Sequence, residues 1–265
     1  MKIGIVGCAG RMGRMLVAET LATDGCKLAG GSEHGESAFL GHDVAALAGL
    51  DEAGLVVGDD TDALFAAADV VIDFTLPQAT IGNADAAAKH GTALVIGTTG
   101  LGADEQAAVV RASQSVAVVQ AANYSLGINL LAGLTAQVAG ILGDDFDIEI
   151  LEMHHRHKVD APSGTALALG QAAADGRGVA LDEVCERARD GQTGARRPGN
   201  IGFAALRGGD VVGDHSVIFA ADGERLELTH KASNRAIYAR GAVRSAIWCE
   251  GKTPGLYSLR EVLGL

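Results

Sequence analysis

Cysteine is scarce in this chain and poorly placed for bonding. The four present, Cys8, Cys26, Cys185 and Cys249, form no C-x-x-C pair and no metal-ligand spacing, which argues against disulfides and fits reduced thiols in a cytosol. Positive charge is also in deficit: 21 Lys and Arg face 33 Asp and Glu, for a formal net charge of -12. A nucleic-acid or membrane-surface partner would need an extended basic face, so neither is expected. A local basic pocket for a small anion remains compatible with this balance. No apolar run approaches the ~18 residues of a membrane span. The N-terminus enters a strand at once, Lys2 to Val6, with no room for a signal peptide. Internal repeats and low-complexity tracts are missing too. What is present is apolar bulk: 48% of the 265 residues are hydrophobic, enough to core two modest domains of a soluble, cytoplasmic protein.

The stretch from Glu149 to Ala166, EILEMHHRHKVDAPSGTA, carries the densest chemistry. It starts as an alternating strand in which Ile148, Ile150 and Met153 face a core while Glu149 and Glu152 point elsewhere. His154, His155, Arg156, His157 and Lys158 then gather up to five cationic groups, a knot that repels itself unless an anion sits there. Asp160-Ala161-Pro162 reads as a turn, and Ser163-Gly164-Thr165-Ala166 as the capped start of a helix running through Ala173. Backbone amides near Gly164 and Thr165, at the positive end of that helix, suit one carboxylate, while His155 and neighbouring cations suit a second. That geometry favours a small dicarboxylate and leaves His154 and Lys158 as candidate proton donors. The same residue types also admit a zinc site or a solvated surface loop.

The first half has the rhythm of an open α/β sheet. After the strand Lys2 to Val6 comes Gly7-Cys8-Ala9-Gly10-Arg11-Met12-Gly13 and then a helical pattern from Arg14 to Thr23. Glycines at 7, 10 and 13 let the backbone turn tightly and approach a pyrophosphate resting on the helix N-terminus; the plain alternative is a structural turn. Glu33, at the end of the strand from Lys27, lies 23 residues after Gly10, about where an acid takes the adenosine ribose hydroxyls rather than standing idle in a loop. His34 follows it, and a neutral imidazole is a poorer partner for a 2′-phosphate than arginine, which favours NADH over NADPH. A short helix is expected near His42 to Leu47, then helix over Asp62 to Ala68, strand over Val70 to Phe74 and helix over Ala79 to His90. The strand Ala93 to Ile96 ends in Gly97-Thr98-Thr99-Gly100, where backbone can approach a flat ring or simply turn into the helix Asp104 to Ser113. A further strand, Val116 to Val119, runs out into Ala121-Ala122-Asn123-Tyr124-Ser125.

Leu126 to Leu142 is a strongly apolar helix opening a second domain. Gly176 to Gly199 is polar, with Arg187, Arg189, Arg196 and Arg197 among glycines, and reads as a mobile loop or an arm to another subunit. Ile201 to Arg207, Asp210 to Ala220 and Glu224 to His230 alternate as an antiparallel meander turning at Gly208-Gly209 and Asp222-Gly223. With the strand before His154 they make a four-stranded mixed sheet. One of its faces is covered by helices and the other is left for subunit packing. His230 to Arg235 serves as a hinge into a last amphipathic helix, Ala236 to Cys249. The fold class is α/β: a Rossmann-type dinucleotide-binding domain over 1–125 and an α+β domain over 126–234 for substrate binding and oligomerisation.

The run Glu149, Glu152, His154, Lys158, Asp160 and Pro162-Ser163-Gly164-Thr165-Ala166 resembles the signature of the bacterial dihydrodipicolinate reductases, now called 4-hydroxy-tetrahydrodipicolinate reductases, of lysine and diaminopimelate biosynthesis. The resemblance implies that His154 donates or accepts a proton, that Lys158 is a second proton donor, and that His155, Gly164 and Thr165 bind substrate carboxylates. It places the loop Gly97-Thr98-Thr99 and the segment Ala121-Ala122-Asn123-Tyr124 at the nicotinamide cofactor, NADH or NADPH, alongside Gly7 to Met12, Glu33 and His34. It returns residues 235–265 to the nucleotide domain, closes the two domains around the reaction, and implies a homotetramer. The substrate would be a cyclic imine dicarboxylate that loses water and accepts hydride. Two rivals share the glycine loop: a nicotinamide-dependent dehydrogenase of another small dicarboxylate such as aspartate, and a cofactor-sensing protein without turnover.

Overall fold

The structure, a computed structural model, describes residues 1–265. In chain order the first elements are β1 (Lys2–Val6), α1 (Arg11–Ala22), β2 (Lys27–Ser32), α2 (Val44–Leu47), α3 (Thr61–Ala67), β3 (Val70–Asp73), α4 (Pro77–His90), β4 (Ala93–Ile96), α5 (Ala103–Ala112) and β5 (Ala117–Gln120). They are followed by α6 (Leu126–Leu142), β6 (Asp147–His154), α7 (Gly164–Arg177), α8 (Leu181–Val184), β7 (Cys185–Glu186), β8 (Ile201–Arg207), β9 (Gly213–Ala221) and β10 (Glu224–Ala232). The chain ends in α9 (Ala236–Trp248), β11 (Gly255–Tyr257) and α10 (Leu259–Leu263). Two compact units result: Met1–Ser125 with Ala236–Gly264, and Leu126–Arg235 with Leu265.

In the first unit a parallel six-stranded sheet runs in the order β11-β5-β4-β3-β1-β2. Val70, Val71 and Ile72 of β3 and Leu94, Val95 and Ile96 of β4 are fully buried, as strands covered by helices on both faces must be. Successive strands go to opposite sides of β1, since β2 lies on one flank and β3 on the other. The topological switch therefore falls between the carboxyl ends of β1 and β3, where open α/β sheets leave a ligand crevice. α4 begins on Pro77 at its first turn and stops at Gly91, whose φ of +69° ends the helix in the left-handed region. Two terminal elements, β11 and α10, escape the sequence reading. Three residues carry no usable period, and β11 is a strand only because it pairs with β5.

The second unit is a mixed sheet in the order β10-β9-β6-β8-β7, with α6 and α7 against one face. The four expected strands are all there, and β7, two residues long, adds a fifth at the edge. The expected meander is corrected. β8 pairs in parallel with β6, β6 pairs antiparallel with β9, and only β9 and β10 form a hairpin. Gly208-Gly209 is not a hairpin turn, because its polar backbone groups bind the exit of β6. Gly208 N–H donates to His154 C=O at 3.0 Å, and Arg156 N–H donates to Gly209 C=O at 3.2 Å. The chain thus crosses over the end of β6 before entering β9.

α6 and α7 approach closely because both are small at the crossing: a Cβ on Gly176 would sit 2.1 Å from Ala136 O. α6 buries Ile128, Leu131, Thr135 and Ala139 along one stripe. The expectation that no apolar run reaches membrane length is also corrected, since Leu126–Asp145 is 20 residues with a mean hydropathy of 1.6. The buried stripe identifies it as a helix that shares a core with α7 and the sheet. The arginine loop folds onto its own sheet: Arg189 clamps both oxygens of Glu149 at 2.9 and 2.8 Å, and Arg196 Nε reaches Glu149 Oε1 at 2.8 Å.

Candidate active site

In the first unit the glycine loop fills the exit of β1. Gly7 has φ +68°, a conformation that favours glycine. Its N–H donates to Ser32 C=O at 2.8 Å, and Gly10 N–H donates back to Gly7 C=O at 3.1 Å. A Cβ at position 13 would lie 2.1 Å from Gly7 O and 2.7 Å from Cys8 Cα, so only glycine lets α1 start this close to the strand. Glu33 Oε1 accepts the Ala9 N–H at 2.9 Å, placing the acid beside the loop. The cavity here, about 440 Å³, is lined by Gly7, Gly10, Glu33, His34, Asp59 and Thr75. Tight glycine backbone, an adjacent carboxylate and a helix N-terminus fit a dinucleotide.

Not every residue of the loop is available to a ligand through its side chain. Cys8 is buried, with a Cβ at Gly31 predicted to meet its Sγ at 2.6 Å. Burial first, then the Glu33 charge, pushes its thiol up to about 12, so it stays neutral. Arg11 is exposed and Met12 half-buried. Arg14, which sequence reasoning passed over, donates from Nε to Ala9 C=O at 2.8 Å and lies 5.1 Å over the Phe39 ring. Asp59, a second acid in the crevice, was passed over as well because its loop has no pattern.

At the ends of β3 and β4, buried Asp73 is a hub. It accepts from Thr75 Oγ1 at 2.6 Å, Thr98 Oγ1 at 3.0 Å and Asn83 Nδ2 at 2.9 Å. The Thr98 side chain is thereby committed to holding two strand exits together, while Thr99 is exposed. Gly97 makes room for Phe74, whose Cζ would lie 2.3 Å from a Cβ there. Tyr124 is buried, and its hydroxyl lies 2.9 Å from the carbonyls of both Ile96 and Val119. Its ring is core, so a ligand can meet only its backbone. Ala121 and Asn123 are half-buried and Ala122 is exposed beside it.

In the second unit β6 ends on His154, and its alternation differs from the sequence reading. Ile148, Ile150, Glu152 and His154 share the buried face, while Met153 is on the other. Glu152, 1% exposed, is fully engaged. Oε2 faces His154 Nδ1 at 2.6 Å and Arg207 Nη1 at 2.8 Å; Oε1 accepts from Arg207 Nη2 at 2.9 Å and Ser163 N–H at 3.1 Å. Burial alone would raise the Glu152 carboxyl, but hydrogen bonds from Arg207, then His154 and Ser163, outweigh it and hold it below its ordinary value. An ionised carboxylate only accepts, so His154 Nδ1 must be the donor. His154 Nε2 is then directed toward Gly213, where a Cβ would come within 3.0 Å.

Around this pair, Ser163 caps α7 by accepting the Ala166 N–H at 3.1 Å, and its Oγ lies 3.1 Å from His215 Nε2. His215 packs edge-on to His154, with ring centroids 5.0 Å apart. Burial, followed by repulsion from His154, lowers its pKa to about 4, so His215 is neutral near pH 7. The five cationic groups fan out rather than knot. Lys158 Nζ donates to Asp160 Oδ1 at 2.9 Å, Arg156 and His157 are exposed, and His155 is half-buried. The His155 and His157 rings stand 6.3 Å apart, and no group of three or more His, Cys, Asp or Glu side chains is arranged to hold a metal. Gly164 and Thr165 form the first turn of α7, directly after the Ser163 cap. Glu152, Arg207 and His215 are the site residues the sequence reading missed; strict alternation from Ile148 would have found Glu152.

Comparison with known proteins covers both units. The family profile described as dihydrodipicolinate reductase, N-terminus, matches residues 1–124, and that described as dihydrodipicolinate reductase, C-terminus, matches residues 127–263. The chain is 56% identical over 265 residues to the 4-hydroxy-tetrahydrodipicolinate reductase of Afipia carboxidovorans, covering 100% of this chain and 97% of that one. It is 52% identical over 264 residues to that of Magnetococcus marinus, covering 100% and 98%. The fold is similar to the dipicolinate-bound dihydrodipicolinate reductase of Paenisporosarcina sp. TG-14, with a TM-score of 0.77, 22% identity and 97% of each chain covered.

Proposed function

As a member of the dihydrodipicolinate reductase family, this chain reduces 4-hydroxy-tetrahydrodipicolinate with NADH or NADPH, and we propose that His154 and Lys158 supply the protons. The reaction yields tetrahydrodipicolinate with loss of water, in lysine and diaminopimelate biosynthesis. The observation that carries the residue assignment is His154 itself, held by Nδ1 against Glu152 with Nε2 left for exchange. Lys158 follows four residues later, at the same strand exit.

When bound, the nicotinamide supplies the hydride; the protein binds, orients and protonates. Gly7, Cys8, Ala9, Gly10, Arg11 and Met12 offer a tight backbone for the pyrophosphate, and Glu33 takes the ribose hydroxyls. Gly97, Thr98, Thr99 and the segment Ala121 to Tyr124 would line the nicotinamide end of the cofactor. His34 and Asp59 leave the ribose end without arginine, which supports a preference for NADH. His155 and the first turn of α7 at Gly164 and Thr165 each hold one substrate carboxylate. Hydride addition leaves negative charge on the conjugated ring, and His154 Nε2–H with the Lys158 ammonium discharges it by protonation. The first unit is thus the cofactor domain, and the second binds substrate and assembles four copies through its uncovered sheet face. The expected location is the cytoplasm.

The test is steady-state oxidation of reduced cofactor by the cyclic imine substrate. His154→Gln and Lys158→Ala are each expected to lower kcat by roughly 100-fold, the scale of lost general-acid catalysis. Turnover close to wild type in both variants would remove these residues from the mechanism.

A further inference from the structure

Nothing in the sequence signature explains why Glu152 is buried under three elements. It sits on β6, two residues before His154, and the exits of β8 and the start of α7 both donate to it. Its two oxygens meet four donors: His154 Nδ1, Arg207 Nη1 and Nη2, and Ser163 N–H. A carboxylate has about four lone-pair positions, so every one is used. Arg207 is itself fixed, donating to Leu206 C=O and Asp160 C=O at 2.6 Å each. The carboxylate therefore cannot rotate away from His154 without breaking a bidentate ion pair.

We propose that Glu152, locked by Arg207, is the positioning residue for proton transfer: it holds the His154 proton on Nδ1 in the neutral ring and offsets the charge when Nε2 is also protonated. The proposal rests on His154 being the proton donor. Nδ1 faces an oxygen that can only accept, so in the neutral ring Nε2 is bare and takes up the exchanging proton. Glu152 from β6 touches the imidazole, His215 from β9 packs edge-on to it and Arg207 from β8 stands behind the carboxylate, while Lys158 and Asp160 in the following loop pair with each other. Glu152 is the negative charge in direct contact.

An amide in place of this carboxylate cannot serve all four donors. Its oxygen would keep Ser163 N–H and Arg207 Nη2, which turns its NH₂ toward His154 Nδ1. The ring proton is then driven to Nε2, the opposite tautomer, as happens when an orienting carboxylate becomes an amide elsewhere. Leaving Arg207 facing an amide also strips a partly buried charge of its partner. The double variant Glu152→Gln with Arg207→Gln removes both charges and guards against a failure to fold.

The experiment compares wild type, Glu152→Gln, the double variant and His154→Gln as full-length protein. It reads kcat against pH and, in protein labelled with ¹⁵N-histidine, the tautomer of the ring whose signals vanish in His154→Gln. We expect wild type to hold the Nδ1–H form. In Glu152→Gln or the double variant, the Nδ1–H signature should be lost, kcat should fall about 100-fold, and the basic limb of the profile should move to lower pH, with KM for reduced cofactor within about twofold. An unchanged tautomer and pH profile in a folded variant would overturn the role of Glu152 even if His154→Gln is slow. Full activity in His154→Gln would overturn the underlying assignment instead.

Discussion

At the scale of single residues, side-chain identity matters less than what each side chain is tied to. Cys8, Thr98 and Tyr124 lie in segments read as cofactor-binding, yet their polar groups serve the protein interior. A sequence shows which segment lines a site; it does not show that Tyr124 points inward, because that depends on carbonyls 28 and 5 residues away. His34 is different, since it lines the crevice with Glu33 and Asp59 and has no arginine beside it. His34→Arg should therefore lower KM for NADPH about tenfold, the worth of one charge-assisted hydrogen bond of ~1.5 kcal/mol. Steady-state kinetics with both reduced cofactors measures the ratio, and an unchanged NADPH value would show that the 2′ position lies elsewhere.

At the scale of elements, β6 places Glu152 and His154 together on its buried face. Its hydrophobic pattern was readable, but Met153 drew the core face one residue out of register and hid Glu152 among outward residues. The crossover at Gly208-Gly209 was hidden for another reason: two glycines between alternating runs match a hairpin turn, and only the bonds to His154 and Arg156 distinguish a crossing. The glycine loop was legible because its constraint is local, a helix starting against its own strand. The β6–β9 contact also sets an acid limit on stability. His215 is depressed from 6.5 to about 4, so between these values the unfolded chain binds a proton that the folded one refuses. Stability is complete above about 6.5 and falls as pH drops toward 4, by on the order of 3 kcal/mol for this group. Glu152, also lowered, adds a loss in the same direction below 4.5. Urea midpoints at pH 7 and 4.5 should show the fall, and His215→Gln should flatten its upper part.

At the scale of the whole molecule, the helix-free face of the mixed sheet is the feature to explain. Leu151, Met153 and Ile218 are half-buried there and Leu206 is 48% exposed, a patch that subunit contacts would cover. Sedimentation velocity should give four times the 26.9 kDa chain mass, and Leu206→Glu should shift the protein to smaller species. A wild-type monomer would remove the oligomer from the proposal. The division of the chain was legible down to the apolar helix α6, whereas closure of the first sheet by β11 was not, since the pairing partner lies more than a hundred residues earlier. The crossover over β6 has one more consequence. Arg207 reaches Glu152 from β8, and Gly213 at the start of β9 leaves space beside the imidazole. Slippage of β8 by a single position would turn Arg207 to the opposite side of the sheet. Strand alignment is therefore coupled to chemistry: a copy threaded one residue out of step would lose the Arg207 clamp and turn over slowly, as the Glu152 variants are expected to.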